Sequence, residues 1–166
     1  RCALRTLRLC NRLLVRDQIA YQGLRYINLA KTSTSGLEAE AEAQLTDGVR
    51  LKFAYAWTDA IDRTTVASLI RVPDHSGAAA LFWERGAWTG ALTVRAESSQ
   101  SDTARDGFTR VRRSGFLTAD ASAAYAISDR MSLTARVENL ADERYQETFG
   151  YGEPGRALYV GVRLRN

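Results

Sequence analysis

Between Val49 and Asp59 the chain alternates: Val49, Leu51, Phe53, Tyr55 and Trp57 take the odd positions, Arg50, Lys52, Ala54, Ala56 and Thr58 the even ones. Successive side chains of an extended backbone point to opposite faces, so this is a strand with one apolar face and one polar or small face. A helical period would have mixed the two sets.

The pattern recurs. Met131, Leu133, Ala135 and Val137 oppose Ser132, Thr134, Arg136 and Glu138; Leu158, Val160, Val162 and Leu164 oppose Tyr159, Gly161, Arg163 and Arg165. Trp88, Leu92, Val94 and Ala96 oppose Thr89, Thr93, Arg95 and Glu97, and Leu117 to Ile127 alternates likewise. Leu37 to Leu45 consists of good helix formers, yet its Leu and Ala alternate with Glu38, Glu40, Glu42 and Gln44. Thr46-Asp47-Gly48 then joins it to the strand at Val49, a hairpin connection with glycine available for positive φ, and a strand is the reading. Weaker strands over Leu4–Tyr21 and ending near Trp83 complete a set of about eight in up-and-down order.

The connections differ by end. Thr46–Gly48, Glu84–Gly86 and Ser128–Arg130 are tight, whereas Ala60–Ser68, Ser98–Gly115 and Ala141–Gly155 are long and polar. Short turns at one end and long loops at the other is the layout of an outer-membrane barrel, with the turns periplasmic. Trp83, Trp88 and Tyr125 fall beside the short turns, and Tyr55 and Trp57 at the far end of their strand. Two interfacial aromatic girdles are therefore expected. Arg50, Lys52, Arg95, Glu97, Asp120, Arg136, Glu138, Arg163 and Arg165 share the other faces, which suits a wide hydrated lumen better than a dry core. The fold class is all-β, an antiparallel up-and-down transmembrane β-barrel segment of about eight strands from a larger barrel.

Composition excludes other classes. No run of apolar residues approaches the length of a membrane-spanning helix. The net charge of +4 comes from arginines interleaved with acids; with no basic run, nucleic acid is not an expected partner. Cys2 and Cys10 on one strand would lie roughly 26 Å apart, too far to bridge. Arg5, Arg8, Arg12 and Arg16 interrupt any signal-peptide core, and the chain reads as starting inside a longer protein or a truncated reading frame. One His, in Asp74-His75, and no nucleophile motif argue against an enzyme. No cofactor or metal site is expected.

The segment Val137-Glu138-Asn139-Leu140-Ala141-Asp142-Glu143-Arg144-Tyr145, followed by Gly150-Tyr151-Gly152-Glu153-Pro154-Gly155-Arg156 and an alternating strand, resembles the end of TonB-dependent receptors. Tyr26 to Ala30, Ser35 to Glu38, Tyr55 to Ala60 and Arg71 to His75 are similar to other phrases of those barrels. The resemblance covers Asp17 to Arg165. It implies that residues 1–166 are the C-terminal part of a roughly 22-stranded barrel, with the N-terminal plug absent. It also implies outer-membrane lipid as surroundings, TonB as a partner only through that plug, and cobalamin or a ferric siderophore as the solute taken up. Asn139, Leu140, Asp142, Tyr145, Gly150, Tyr151, Pro154, Gly155 and Arg156 are expected to be structural: Asn139 and Asp142 satisfying backbone groups where a strand leaves the sheet, Pro154-Gly155 turning into the last strand, Arg156 anchoring the loop. One departure is the final Leu164-Arg165-Asn166, where the family ends in an aromatic. A complete eight-stranded barrel with a structural or adhesive role, and a soluble β-rich binding protein, are the alternatives.

Overall fold

The structure, a computed structural model, describes residues 11–22 and 25–165. The regular elements there are strands: β1 (Asn11–Gln22), β2 (Arg25–Thr46), β3 (Val49–Asp62), β4 (Ala67–Ser68), β5 (His75–Arg85), β6 (Trp88–Glu97), β7 (Gln100–Thr103), β8 (Arg110–Arg113), β9 (Phe116–Ser128), β10 (Met131–Glu138) and β11 (Ala157–Leu164). The main sheet is an antiparallel meander in the order β1-β2-β3-β5-β6-β9-β10-β11, with β4 on the upper end of β3. β7 and β8 form a separate two-stranded ribbon.

Register sorts the side chains onto two faces. Ala43, Leu51, Leu81, Leu92, Ala121, Val137 and Leu158 follow one another as cross-strand partners, an apolar rung over seven strands. One residue away on the other face run Glu42, Lys52, Ala80, Thr93 and Asp120. Among the described apolar residues only Ala60 and Phe116 are buried, while Leu158, Val160, Val162 and Leu164 are 60–75% exposed. A sheet that leaves its apolar face uncovered in this way needs lipid as its solvent. The apolar run Leu37–Leu45 has the roughly nine-residue length that a tilted transmembrane strand requires.

The three tight connections are two-residue turns, with Thr46 paired to Val49, Arg85 to Trp88 and Ser128 to Met131. Gly48 and Gly86 supply positive φ values of 81° and 59° there, as hairpin turns of this length demand.

Two expectations change. The strand expected over Leu37–Leu45 is the lower part of a 22-residue strand. Residues 25–36, rich in Ser and Thr, carry no apolar alternation because both their faces lie beyond the membrane; pairing with β1 and β3 keeps them extended. Likewise the long loops contain strand: β3 runs through Ala60 to Asp62, β4 takes Ala67–Ser68, and Ser98–Gly115 folds into the β7–β8 ribbon. Closure of a small barrel would pair β1 with β11, yet among the described residues β1 pairs only with β2 and β11 only with β10. Cys2, Cys10, the Leu4–Cys10 part of the first strand and Asn166 lie outside the described residues.

Candidate ligand-facing loops and luminal wall

At the long-loop end three segments converge: the connection from β3 to β5, the β7–β8 ribbon, and the Asn139–Arg156 connection from β10 to β11. The ribbon tip is closed by Asp106, whose carboxylate accepts the Phe108 and Thr109 amides at 2.9 Å and the Thr109 hydroxyl. These bonds hold the exposed Asp106 carboxyl below its usual range, the Thr109 hydroxyl first among them.

Asp102, in β7, is fully buried and binds all three segments together. Its Oδ1 accepts Arg71 Nε at 2.9 Å and the Thr103 amide at 2.7 Å; its Oδ2 accepts the Phe149 amide at 2.7 Å. The Arg71 amide also donates to Ser101 O at 2.8 Å. Burial alone would push the Asp102 carboxyl up; the Phe149 amide, the Arg71 guanidinium and the Thr103 amide outweigh it and hold the group below its ordinary value.

Further ties surround this hub. Gln100 Nε2 donates to Glu147 O at 3.3 Å, Arg95 pairs with Glu147, and Arg110 donates to Ser68 O. Arg113 is buried, its Nη2 2.8 Å from Glu97 Oε2 and its Nη1 bonded to Ser98 O and Ser114 O. The guanidinium groups of Arg95 and Arg113 lie 5.1 and 5.2 Å from the Phe116 ring centroid.

The motif residues divide among three places. Asn139 and Asp142 adopt left-handed φ values of 50° and 54°. Asn139 Nδ2 donates to Glu143 O and Pro154 O at 2.9 and 3.2 Å, while its Oδ1 accepts the Glu143 amide at 2.9 Å. Asp142 Oδ1 accepts the Arg156 amide at 2.8 Å, and Arg156 Nη1 reaches Leu140 O at 3.4 Å. A Cβ on Gly155 would stand 2.7 Å from Asp142 Oδ1, so the chain there passes too close for a larger residue. These residues knot the two ends of the connection at the top of the sheet. Tyr145 instead packs on Phe116, ring centroids 4.5 Å apart. Gly150 and Tyr151 belong to the outer lobe, held by Arg105, whose Nη2 donates to Gly150 O at 2.8 Å and whose guanidinium lies 5.9 Å from the Tyr151 ring.

Below the loops, the polar face of the sheet carries Arg50 and Lys52, each 3.6 Å from Glu42, and Arg136, 3.1 Å from Glu138. These pairs are partly exposed, as in a hydrated lumen. On the apolar face Trp88 and Tyr125 pack with centroids 4.8 Å apart beside the turn end, with Trp83 one strand away. Tyr55 and Trp57 lie toward the loop end, where Tyr55 Oη is 2.7 Å from His75 Nδ1. Asp102, Gln100, Arg113, Phe116 and Glu147 gave no signal in the sequence, and Arg71 stood out only as part of the Arg71–His75 phrase: the hydrogen bonds that tie the hub together join residues 16–47 positions apart.

A meander with one apolar and one charged face, short turns below and knitted loops above, is a wall of an outer-membrane β-barrel. The family described as TonB dependent receptor-like, beta-barrel, matches residues 11–140, and the chain belongs to it; its place is the bacterial outer membrane. The chain is 26% identical over 147 residues to the iron-regulated outer membrane virulence protein of Vibrio cholerae, covering 83% of this chain and 22% of that protein. It is 30% identical over 125 residues to the metal-pseudopaline receptor CntO of Pseudomonas aeruginosa, covering 69% of this chain and 17% of that protein. Among solved structures, the copper transporter OprC superposes with a TM-score of 0.75 at 22% identity, over 97% of this chain and 29% of that one. The siderophore receptor PiuA of Acinetobacter baumannii gives a TM-score of 0.75 at 15% identity, over 92% and 25%. The chain thus spans about a fifth of the length of the curated relatives it matches.

Proposed function

We propose that the chain is the C-terminal part of the barrel of a receptor that takes up a scarce, large, polar solute with energy delivered by TonB through a plug domain on the remainder of the protein. The observation that carries this is the Asp102 hub, which sets three external loops in one fixed arrangement above a charged luminal wall. A surface of that kind is preorganised to receive a ligand from outside. The names of the similar proteins favour a chelated metal, of the ferric-siderophore type, over cobalamin. In this reading Tyr55, Trp57, Trp83, Trp88 and Tyr125 are the interfacial anchors against outer-membrane lipid. Asn139, Leu140, Asp142, Tyr145, Gly150, Tyr151, Pro154, Gly155 and Arg156 shape the last loop rather than catalyse.

The test is uptake by the complete receptor in cells lacking other receptors, with radiolabelled ferric siderophores and radiolabelled cobalamin offered separately, in the presence and absence of TonB. TonB-dependent accumulation of a ferric siderophore supports the proposal. Accumulation of cobalamin alone moves the solute class, and accumulation of neither, by a receptor shown to be folded in the outer membrane, rejects it.

A further inference from the structure

Three ion pairs among the described residues knit the loop end together, and they differ in what water can reach. Asp102, which holds Arg71, is fully buried, and the Arg113 side chain, which holds Glu97, is 2% exposed. The third pair joins Arg95 of β6 to Glu147 of the Asn139–Arg156 connection, and its side chains are 42% and 47% exposed. An exposed pair contributes little net stability, because water and salt compete for both charges. Another anion arriving from solution can therefore take the place of Glu147. It cannot take the place of Asp102, because two backbone amides also hold that carboxylate.

Arg95 stays in position when its partner leaves. Its guanidinium lies 5.1 Å from the centroid of the Phe116 ring, and Phe116 is buried and packed on Tyr145. A cation over an aromatic face is attracted by the ring itself. The main chain around Glu147 is pinned separately. Gln100 Nε2 donates to Glu147 O at 3.3 Å, and the Phe149 amide donates to Asp102 at 2.7 Å. Glu147 can turn its carboxylate away by side-chain rotation alone, with the loops left where they are.

The space beside Arg95 opens to the lumen. Glu40, Ala54, Ala78 and Arg95 are successive cross-strand partners on the polar face, and Ala56 and Ser76 stand in the next rung above. Small residues on two adjacent strands leave a hollow of about 270 Å³ in the wall, with Arg95 on one edge. Glu40 is three strand spacings from Arg95, roughly 14 Å. That exceeds a Debye length at physiological salt, so its repulsion of an anion held by Arg95 is screened.

We propose that Glu147 is a resident placeholder for an anionic group of the solute. Carboxylate or catecholate oxygens of a negatively charged chelate, entering from the loop end, take over the Arg95 guanidinium and displace the Glu147 carboxylate. The exchange puts one anion in place of another and keeps the charge around Arg95 balanced. An uncharged chelate leaves Glu147 where it is and gains nothing from Arg95. Arg95 is then a specificity-determining residue that selects for the charge of the chelate. This rests on the reading of the chain as part of a chelate receptor.

The test titrates the complete receptor in detergent with ferric enterobactin and ferric citrate as anionic probes and with ferrichrome, a tris-hydroxamate, as the uncharged one. The readout is the dissociation constant of each. Removing the placeholder in Glu147→Gln is expected to tighten anionic binding roughly two- to fivefold, the usual contribution of an exposed pair. Arg95→Gln removes a charge-assisted contact and should weaken it at least roughly tenfold. Arg95→Lys should recover part of that loss, and Arg85→Gln, at the turn end, should change nothing. A pair with a purely structural role would move Glu147→Gln and Arg95→Gln in the same direction. Loss of affinity in both variants, no change in either, or preference for ferrichrome would overturn the exchange and leave the receptor reading intact. Binding of none of the three by a folded receptor would reject both. Heat-modifiable mobility verifies the fold of each variant; should Arg95→Gln not fold, the Glu147→Gln titration decides alone.

Discussion

The Trp83 indole lies across Gly90, its partner on β6, so closely that a Cβ on Gly90 would fall 1.9 Å from Trp83 Cζ2. An aromatic laid over a glycine in a neighbouring strand covers backbone that the missing side chain leaves open. Gly90→Ala should therefore expel the ring, costing about 1–3 kcal/mol as overpacking does. The check is denaturant unfolding of the complete barrel in detergent, together with tryptophan emission. Unchanged emission and stability would show that the ring does not rest there.

Asp102 is expected to govern order in the external loops without governing barrel assembly. Asp102→Asn removes the charge that draws Arg71 and weakens the bond from the Phe149 amide, a loss of roughly 2–4 kcal/mol in charge-assisted hydrogen bonds. Amide exchange should accelerate in residues 63–74 and 139–156 while heat-modifiable mobility of the barrel persists. Acid should act the same way. Because the folded carboxyl is held below its ordinary value, its contribution is complete above the unfolded value near about 4 and is lost as pH falls through the folded pKa. Loop exchange that ignores both Asp102→Asn and acid would remove the hub from the account.

Asn139 combines a left-handed backbone with three side-chain hydrogen bonds. Asn139→Ala loses the bonds, and with them the local polar contacts that let Asn occupy the left-handed region, while keeping the Cβ that makes this region costly, together roughly 2–4 kcal/mol. Asn139→Gly keeps the bonds broken but relieves the backbone, so it should recover part of that loss. The temperature at which the folded band disappears on gels ranks the variants; Gly equal to or worse than Ala would mean that the φ value contributes nothing.

The faces of the wall were legible in the sequence because the membrane writes them there. Lipid on one side and water on the other force period two, so the strands from Val49 to Trp57 and from Met131 to Val137 announce themselves. Above the membrane that pressure vanishes. Thr32, Ser33, Thr34 and Ser35 are as extended as Leu37, yet nothing in their polarity says so, and β2 came out longer than its apolar part. The knot of Asn139, Asp142 and Arg156 was partly readable, since Asn and Asp tolerate left-handed φ and Pro-Gly marks a turn. The Asp102 hub was not, because its meaning depends on Arg71 and Phe149, which only tertiary folding brings within reach.

Orientation makes a direct prediction about access. With the native cysteines replaced by serine, a single cysteine at Asp106, on the exposed ribbon tip, should react with a membrane-impermeant maleimide on intact cells. Cysteines at Asp47 or Asp129, in the two-residue turns, should react only after the outer membrane is breached. Equal labelling at both ends of the wall would be incompatible with a transmembrane arrangement.

Among the described residues β1 and β11 each have one neighbour, and Leu158, Val160, Val162 and Leu164 on β11 are largely exposed. An edge strand in hydrocarbon leaves backbone N–H and C=O groups without water or partner, at several kcal/mol for each unsatisfied group. A lone wall of eight strands must therefore pair with further strands to reside in lipid. This chain expressed by itself, with an export signal, is expected to yield neither a heat-modifiable outer-membrane species nor uptake above the background of a receptor-deleted cell. The same residues within a complete receptor should give both. If the isolated chain does form a heat-modifiable species, crosslinking between cysteines at Leu14 and Val160 would show whether β1 has closed on β11. Uptake by that species would mean that the wall is a transporter in its own right, against the proposal that it is one part of a larger barrel.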